Sequence, residues 1–581
     1  MFIAVENIAS LLRNNVGLAV FVVLFALLTC VPARALTPAE IEAANRNAQQ
    51  IQNEQQERMR QQLLEDQQRG KETPPQAVPE VQPPSLPKGG VCRDITEITL
   101  TGATLLPEEV KKELVAPYLN KCLYAQDIEK LLGEILKAYI DRGYIAVRPY
   151  IQAQDLSQGK LEILILEGKV ERLILDDGDE NSVNLTTAFP FVEGKPLNLR
   201  DIEQGLDQIN RLASNDARMQ ISPGDEPGSS IVTITNTPTL PLSISGTMDN
   251  MGSLSTGRHQ GGVTLGLDHP LRLNDFLTYT HRQSLFEDST FHESISDSFY
   301  YSMPLGYFSF DMFYSSSSYR SPVKTSTQTL VARGDSEDFK GSVGWVAYRD
   351  QDQKLSTNAG LRTKDTKNYL DGEYLKVSSR KLTNLDIGAS WFRRFDGFML
   401  SGGLGWSKGL TLFDALSDAD GRTTSLPQAQ GAKFTYNAGV TVPFGALGQN
   451  LVFSSQLSGQ YGLVPLYGSE QITLGSFYTV RGFNRNSVAG DRGCYVQNEL
   501  TTYLPSIPHT DVVVSPFVGL DYGYIAQFKT TNDATLSGAV AGLRFSGKHV
   551  RGELSASKSI DVPTAIEREP VQFAATLTVS F

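Results

Sequence analysis

The sequence predicts a membrane β-barrel of about sixteen antiparallel strands, preceded by two small α/β units and a polar N-terminal helix. From residue 239 to 581, segments of roughly ten residues alternate apolar and polar side chains, with turn residues between them. Between residues 92 and 238, strand and helix patterns follow one another twice in the same order. A Gln-rich stretch without glycine precedes both regions. We therefore expect the chain to cross a membrane with strands.

Composition excludes two broad classes of protein. The 581-residue chain carries a net charge of −12, so it lacks the basic surface that a nucleic-acid partner requires. After residue 35, no run of roughly 18 residues is continuously apolar, which excludes helical membrane spans. The 50 glycines and 22 tyrosines agree with a β-rich protein that has many turns.

Residues 1–35 have the pattern of a secretory signal peptide. Arg13 precedes an apolar run over residues 16–30, and Ala33-Arg34-Ala35 provides a small-x-small cleavage site. The pattern predicts export across the inner membrane and cleavage after Ala35. An uncleaved anchor is the alternative interpretation.

Residues 36–69 predict a helix, and residues 70–91 predict a linker. Thr37-Pro38 is typical of a helix start, and apolar positions are too sparse to form a core-facing stripe. Such a helix suits a polar, water-filled channel, although a solvated helix would have the same pattern. Six prolines between residues 70 and 90 predict an extended, semi-rigid linker.

Two α/β units are predicted at residues 92–168 and 169–238. Each has the order strand, helix, helix, strand, strand. A unit of this kind offers an open sheet edge to an extended peptide, or it acts as a rigid spacer. Cys92 and Cys122 are plausible disulfide partners in an exported protein, whereas Cys494 is interpreted as a small, half-buried strand residue.

The barrel is predicted for residues 239–581. Short connections are expected at residues 303–306 and 395–397, and longer ones at 411–433 and 468–492. Alternating short and long connections gives sixteen strands, an even number. A soluble β-sandwich is the rival interpretation, but the terminal Phe581 on an alternating strand and the predicted signal peptide favour the barrel.

The candidate functional residues begin with a tetrad in the long connection: Val480, Arg481, Gly482 and Phe483. Alternation places Asp521 on the face of its strand that points away from lipid, into a polar lumen. Gly519 and Gly523 flank Asp521 on that face and leave room for a bulky side chain. We therefore expect Arg481 to pair with Asp521 in a charge-assisted contact, for which a guanidinium and a carboxylate group allow a bidentate geometry. A surface loop with a solvated arginine is the alternative.

Motifs for catalysis are missing from the sequence. The six histidines show no metal-ligand spacing, and there is neither a Gly-x-Ser-x-Gly elbow nor a phosphate-binding loop. We expect no enzyme activity, no cofactor and no metal.

In the motifs of its predicted loop, strands and α/β units, the chain resembles the two-partner secretion transporters (TpsB proteins), the haemolysin activation/secretion branch of the Omp85 superfamily. The tetrad at 480–483 is similar to the motif of the family's loop six, here residues 462–491, and the strand around Asp521 is similar to its partner strand. Further matching motifs are Gly490-Asp491-Arg492-Gly493, Asn498-Glu499-Leu500, Asp249-Asn250-Met251-Gly252 and Arg142-Gly143-Tyr144. Cys494 departs from the family, which carries an aromatic residue there.

The resemblance implies a sixteen-stranded barrel in the outer membrane, two periplasmic POTRA domains and an N-terminal plug helix. It implies export of one unfolded, TpsA-like exoprotein through its N-terminal secretion domain, and insertion of the barrel into lipid by the barrel assembly machinery. A barrel insertase and a diffusion porin are the alternative functions. The sequence leaves open whether the cargo is an adhesin, a cytolysin or a growth-inhibition toxin, and where the plug rests.

Overall fold

The computed structural model describes residues 38–67, 91–176, 182–325, 328–419, 425–446, 448–528, 533–564 and 566–581. The predicted signal peptide at 1–35 and all but the last residue of the predicted linker lie outside the described residues.

Helix α1 spans Pro38–Gln67. Proline is favoured at a first helical position because a backbone N–H has no intrahelical partner there, so that proline loses no hydrogen bond by lacking one. The 30 residues give a helix about 45 Å long. No helix among the described residues combines the length and the apolar character needed to cross a membrane.

The first α/β unit packs one amphipathic helix on a small sheet. The central strand β5 is parallel to β2 and antiparallel to β4. Leu131, Ile135 and Tyr139 lie on one helical face and are fully buried against the sheet. Its elements are β1 Arg93–Ile95, β2 Glu97–Thr101, α2 Glu108–Val115, β3 Lys121–Leu123, α3 Ala125–Ile140, β4 Arg148–Tyr150 and β5 Lys160–Leu166.

The second α/β unit repeats this plan with strand order β6-β8-β7. The first helix of this unit begins at Leu185, because the Asn184 side chain accepts a hydrogen bond from the Thr187 N–H (3.0 Å) and caps it. Its elements are β6 Lys169–Leu175, α4 Leu185–Ala188, α5 Leu199–Asn210, β7 Ala217–Pro223 and β8 Ser229–Asn236.

The remaining chain forms a closed antiparallel barrel, as predicted. Sixteen strands form the wall, and the two-residue β16 adds a short pairing beside β15. The barrel closes where β9 pairs with β27 over five positions. The first half of the wall is β9 Leu242–Asp249, β10 Gln260–Asp268, β11 Phe276–Ser284, β12 Glu293–Leu305, β13 Phe308–Lys324, β14 Thr329–Arg349, β15 Gln353–Leu370, β16 Glu373–Tyr374 and β17 Arg380–Phe395.

The second half of the wall is β18 Phe398–Leu410, β19 Ala432–Ala446, β20 Gln449–Gly462, β23 Arg492–Thr502, β24 Val513–Ala526, β25 Ala534–Ser546, β26 Val550–Asp561 and β27 Gln572–Ser580. A short inner hairpin interrupts the order, with β21 at Ile472–Leu474 and β22 at Val488–Gly490. On β24 the alternation is clear: Leu520 is 61% exposed on the outer face, whereas Asp521 is 3% exposed on the inner face.

The prediction of a short connection at residues 303–306 is wrong in its position. Strand β12 continues through Pro304 to Leu305, and the turn consists of Gly306 and Tyr307. Gly306 adopts φ +58°, a conformation that glycine accepts readily and that permits a two-residue turn.

The second α/β unit is fixed to the end of the barrel that carries the turn at Gly306 and Tyr307. The Gly306 carbonyl accepts hydrogen bonds from Gln204 Nε2 (3.2 Å) and Gln208 Nε2 (2.9 Å) of helix α5. Arg349 at the end of β14 forms an ion pair with Asp207 of the same helix. These contacts place the C-terminal end of α5 beside the opening of the lumen, where Leu212 packs against Phe276, Tyr300 and Phe313.

Candidate functional site: a loop folded into the lumen

Loop six, residues 463–491 between β20 and β23, folds back into the lumen. Near its start, the Glu470 carboxylate accepts hydrogen bonds from Lys433 Nζ (2.9 Å) and Asn384 Nδ2 (3.2 Å). These two residues lie on β19 and β17, whereas the tetrad contacts β24 and β26. The loop therefore spans the lumen from one part of the wall to another.

Arg481 makes the pairing expected from the sequence. Its Nε and Nη2 donate to Asp521 Oδ2 and Oδ1, each over 2.7 Å, and its backbone N–H donates to Oδ2 over 2.9 Å. The arginine side chain is 12% exposed and the aspartate side chain 0% exposed. Both oxygens of the carboxylate are thus engaged in a bidentate, charge-assisted contact that water scarcely reaches.

The ion pair extends along the wall. Arg481 Nη1 also donates to Glu499 Oε2 (3.0 Å), and Glu499 accepts in turn from Arg544, whose Nε donates to Glu553 Oε2 (2.9 Å). Three carboxylates thus alternate with two guanidinium groups across β23, β24, β25 and β26. Loss of Arg481 would leave the buried Asp521 without a guanidinium group in this row, whereas loss of Asp521 would leave Arg481 with Glu499.

Glycines make the close approach of loop six possible. A Cβ at Gly519 would lie 2.8 Å from Arg481 Nη2, and one at Gly523 would lie 2.8 Å from Val480 Cγ2. Gly482 adopts φ +102°, and a Cβ there would lie 2.5 Å from the backbone of Lys558 on β26. The first two glycines accommodate the incoming loop, and the third lets the loop reach the wall.

The apolar members of the tetrad anchor it further. Val480 and Phe483 are both 0% exposed. They pack in one cluster with Leu474 of the loop and with Ile525 and Leu536 of the wall. Burial of a valine and a phenylalanine side chain contributes about 1.5–3 kcal/mol each.

Glu569 holds the segment that follows the tetrad, a role that the sequence alone does not predict. Its carboxylate accepts hydrogen bonds from the backbone N–H groups of Asn484 (3.0 Å), Arg485 (2.9 Å) and Asn486 (2.9 Å). The residue lies between β26 and β27 and is 4% exposed. Its neighbours Glu567 and Arg568 give the segment the pattern of a solvated loop, so the sequence carries no signal for this role.

Helix α1 lies within the lumen and contacts the wall through polar, charged and apolar side chains. Gln52 Nε2 donates to Asn368 Oδ1 (3.0 Å), and Arg60 Nη2 donates to Ser458 Oγ (3.4 Å). Ile51 packs against Tyr319, and Ala44 packs in a second apolar cluster with Val323 and Leu330 of the wall. The structure thus gives the helix the resting position that the sequence left open.

The helix also touches loop six. Gln50 Nε2 donates to the Arg485 carbonyl (3.2 Å), and Gln49 Nε2 donates to Gln471 Oε1 (3.4 Å). Gly468 leaves space for the Gln49 side chain, since a Cβ there would overlap it. A cavity of about 500 Å³ remains between helix, loop and wall. The lumen is therefore obstructed but not filled.

The remaining predicted residues lie outside the lumen or in the wall. Cys92 and Cys122 form a disulfide between β1 and β3, and Cys494 is a half-buried residue of β23. In the same unit, Tyr139 donates to Glu167 Oε1 (2.7 Å); burial and this hydrogen bond raise the pKa of Tyr139 far above its ordinary value. Among the described residues, no group of His, Cys, Asp and Glu side chains could hold a metal ion.

The barrel, the helix in its lumen and the anchored loop define an outer-membrane transporter with two α/β units at one end of the barrel. A family model described as haemolysin secretion/activation protein ShlB/FhaC/HecB matches residues 228–545, and the chain belongs to this family. A ShlB-type POTRA model matches residues 94–168 and a second POTRA model matches residues 169–223. The two α/β units are therefore named POTRA 1 and POTRA 2.

Relatives of known name agree with this assignment. The outer membrane transporter CdiB of Dickeya dadantii (strain 3937) is 33% identical over 496 residues, covering 85% of this chain and 87% of that protein. CdiB of Escherichia coli is 33% identical over 553 residues, covering 93% and 91%. The solved structure of CdiB from Escherichia coli has a TM-score of 0.82 at 31% identity, covering 94% of this chain and 100% of that chain.

These comparisons confirm the predicted family, the barrel fold and its class of function. The protein is a two-partner secretion transporter whose barrel lies in the outer membrane and whose POTRA domains lie in the periplasm. Members of its family transport secreted exoproteins.

Proposed function

We propose that the transporter binds the N-terminal secretion domain of one secreted exoprotein in the periplasm and passes that protein, unfolded, through the barrel. Loop six stays anchored by Arg481 while helix α1 leaves the lumen. The observation that carries this proposal is the position of helix α1 in the lumen beside the buried contact of Arg481 with Asp521 and Glu499. The mechanism requires no catalytic step, cofactor or metal.

The POTRA sheets supply the surface for recognition. Strand β2 forms one edge of the sheet in POTRA 1, and β7 forms one edge of the sheet in POTRA 2. An extended segment of the secretion domain adds to such an edge through backbone hydrogen bonds. Because POTRA 2 is fixed to the barrel by α5, cargo bound there is held beside the opening of the lumen.

Export then depends on space and on a driving force. Removal of helix α1 opens the lumen, whose wall is polar and suits an unfolded chain. The periplasm holds no ATP, so folding of the cargo outside the cell biases its movement outward. Insertion of the transporter itself into lipid is the task of the barrel assembly machinery.

Secretion of a cargo fragment tests the proposal. The transporter is expressed together with the secretion-domain fragment of its partner exoprotein, and the fragment is measured in the medium. Arg481→Ala is compared with Arg485→Ala, a matched change in the same loop at an exposed arginine. We expect wild type and Arg485→Ala to secrete the fragment and Arg481→Ala to lose secretion while remaining folded and heat-modifiable in the membrane.

Other outcomes separate the parts of the proposal. Full secretion by Arg481→Ala would remove the arginine contact from the mechanism but leave export intact. No secretion by wild type, together with failure of other barrels to assemble after depletion, would favour a barrel insertase instead.

A further inference from the structure

Three strongly exposed apolar side chains lie at the periplasmic end of the barrel wall. Phe191 is 90% exposed, Leu240 is 74% exposed and Leu271 is 63% exposed. They belong to separate segments: Phe191 to POTRA 2, Leu240 to the connection just before β9, and Leu271 to the turn between β10 and β11. We call these three residues the rim patch. Large apolar side chains that cluster in water mark a contact with something else.

The backbone of Phe191 adds a second observation. Its φ is +61°, which is rare for a bulky aromatic residue and unfavourable for it. The side chain does not recover this cost by burial within the protein, because nine-tenths of its surface is exposed. Local strain that holds a side chain outward indicates a functional contact.

The rim patch continues the lipid-facing surface of the wall. Pro190, which precedes Phe191, lies against Gly306: its Cγ is 2.7 Å from the position a Cβ on Gly306 would take. The strands on either side of this turn end in Leu305 and Phe308, which are 38% and 44% exposed on the outer face. Phe308 stacks on Trp345, with ring centroids 6.2 Å apart. Phe191 thus follows directly on an aromatic belt that faces lipid.

Contacts with the barrel fix the position of the rim patch along the barrel axis. The Asn184 N–H donates to Asn274 Oδ1 (3.0 Å), and Asn274 Nδ2 donates to Thr187 Oγ1 (2.9 Å), which holds the segment before Phe191 on the first turn. The Asp268 N–H donates to the Pro241 carbonyl (2.8 Å) beside Leu240. The patch therefore keeps a constant position relative to the barrel, and so to the membrane.

We propose that the rim patch inserts into the periplasmic leaflet of the outer membrane and contacts phospholipid at the boundary between acyl chains and headgroups. Apolar side chains embed there to a shallow depth. Continuity with the lipid-facing belt identifies the occupant as lipid. POTRA 2 thereby gains a membrane contact on the side of the barrel formed by β9 to β13.

A fluorescent probe at position 191 of the full-length transporter tests this inference. Phe191→Cys is made together with Cys494→Ser, labelled with an environment-sensitive dye and placed in nanodiscs of phosphatidylethanolamine and phosphatidylglycerol. Tyr150→Cys serves as the matched control, because Tyr150 is also an exposed aromatic residue (47%) but lies in POTRA 1. Heat-modifiable migration of each variant verifies the folded barrel.

Addition of a phospholipid with a nitroxide near the headgroup end of its acyl chain gives the readout. We expect the dye at 191 to emit at shorter wavelength than the dye at 150 and to lose most of its emission to the nitroxide lipid, whereas the dye at 150 keeps its emission. Equal, unquenched emission at both sites would overturn the proposal. If the nitroxide lipid does not quench the dye at 191, but the emission wavelength of that dye shifts when a secretion-domain fragment is added, the patch would be assigned to the cargo instead.

Discussion

Loop six and helix α1 share one lumen, but different chemistry holds each of them. The tip of loop six is fixed by ionised side chains with little access to water, where Arg481 and Asp521 are 12% and 0% exposed. Helix α1 is held by single hydrogen bonds, such as the 3.0 Å contact of Gln52 with Asn368 and the 3.4 Å contact of Arg60 with Ser458, and by apolar packing at Ala44 and Ile51.

The difference indicates which of the two leaves the lumen. A neutral hydrogen bond contributes only about 0.5–1.5 kcal/mol net, because water replaces the partner at small cost. Breaking a buried ion pair by removing one partner costs about 3–5 kcal/mol. The helix can therefore exchange its contacts for water one by one, whereas loop six gives up several strong contacts at once. We therefore propose that the plug is the part that moves and that loop six stays with the wall.

The largest effect is expected when the buried charge opposite Arg481 is removed. Asp521→Asn should destabilise the anchored loop by about 3 kcal/mol, the lower end of the range for a broken buried ion pair, since Arg481 loses its bidentate carboxylate but keeps Glu499. The measurement is trypsin cleavage after Arg485 in the folded barrel, which should accelerate. Asp335→Asn is the control, because Asp335 pairs with Arg333 at the surface, where the side chains are 34% and 55% exposed. Equal cleavage of both variants would contradict the role of burial.

Gly482→Ala should have the next largest effect. An alanine there would be strained at φ +102° and would also press on the backbone of β26, for a total of about 2–4 kcal/mol. Gly448→Ala separates the two causes, because Gly448 has φ +73° with open space around its Cβ position. Thermal denaturation of both variants should show a clear loss for Gly482→Ala and a smaller one for Gly448→Ala. A reversed order would mean that loop six does not press on β26.

Glu569→Gln tests the anchor that follows the tetrad. The change removes the charge that three backbone N–H groups share, at a cost of about 1.5–3 kcal/mol. Glu567→Gln, two residues away and exposed, should change nothing. Cleavage by trypsin after Arg485 again provides the readout, and unaltered cleavage in Glu569→Gln would show that the tetrad alone fixes the loop.

The smallest effect is expected for one contact of the plug. Gln52→Ala removes a neutral hydrogen bond and should favour the open lumen by about 0.5–1.5 kcal/mol, a few-fold in equilibrium. The frequency of channel openings in planar lipid bilayers measures the equilibrium between the plugged and the open lumen. Gln61→Ala on the same helix is the control. A change as large as that of Asp521→Asn would mean that plug and loop are held equally firmly.

Alternation along the chain was sufficient to predict the strands of the wall and the inward orientation of Asp521. It placed Asp521 in the lumen and the neighbouring Leu520 toward lipid, because side chains on a strand alternate regardless of tertiary context. It could not predict Glu499 or Arg544 as members of the ionic row, since their contact depends on the stagger of strands around the closed barrel. Nor could it predict how completely Asp521 is buried.

The turn at Gly306 and the anchor at Glu569 illustrate the same limit. Pro304 suggested an early turn, but the chain stays extended until Gly306, where a positive φ is available. Glu569 lies in a charged segment, and only the fold brings three N–H groups onto its carboxylate.

The packing of Leu212 has one more consequence. This POTRA 2 residue shares a cluster with Phe276, Tyr300 and Phe313 of the wall, and Met59 of helix α1 packs against the same cluster. Any ligand that shifts POTRA 2 by disturbing this cluster also lowers the affinity of the lumen for the helix. By thermodynamic reciprocity, absence of the helix then strengthens binding of that ligand by the same factor. A transporter that has lost its plug should therefore hold its cargo more tightly than one at rest.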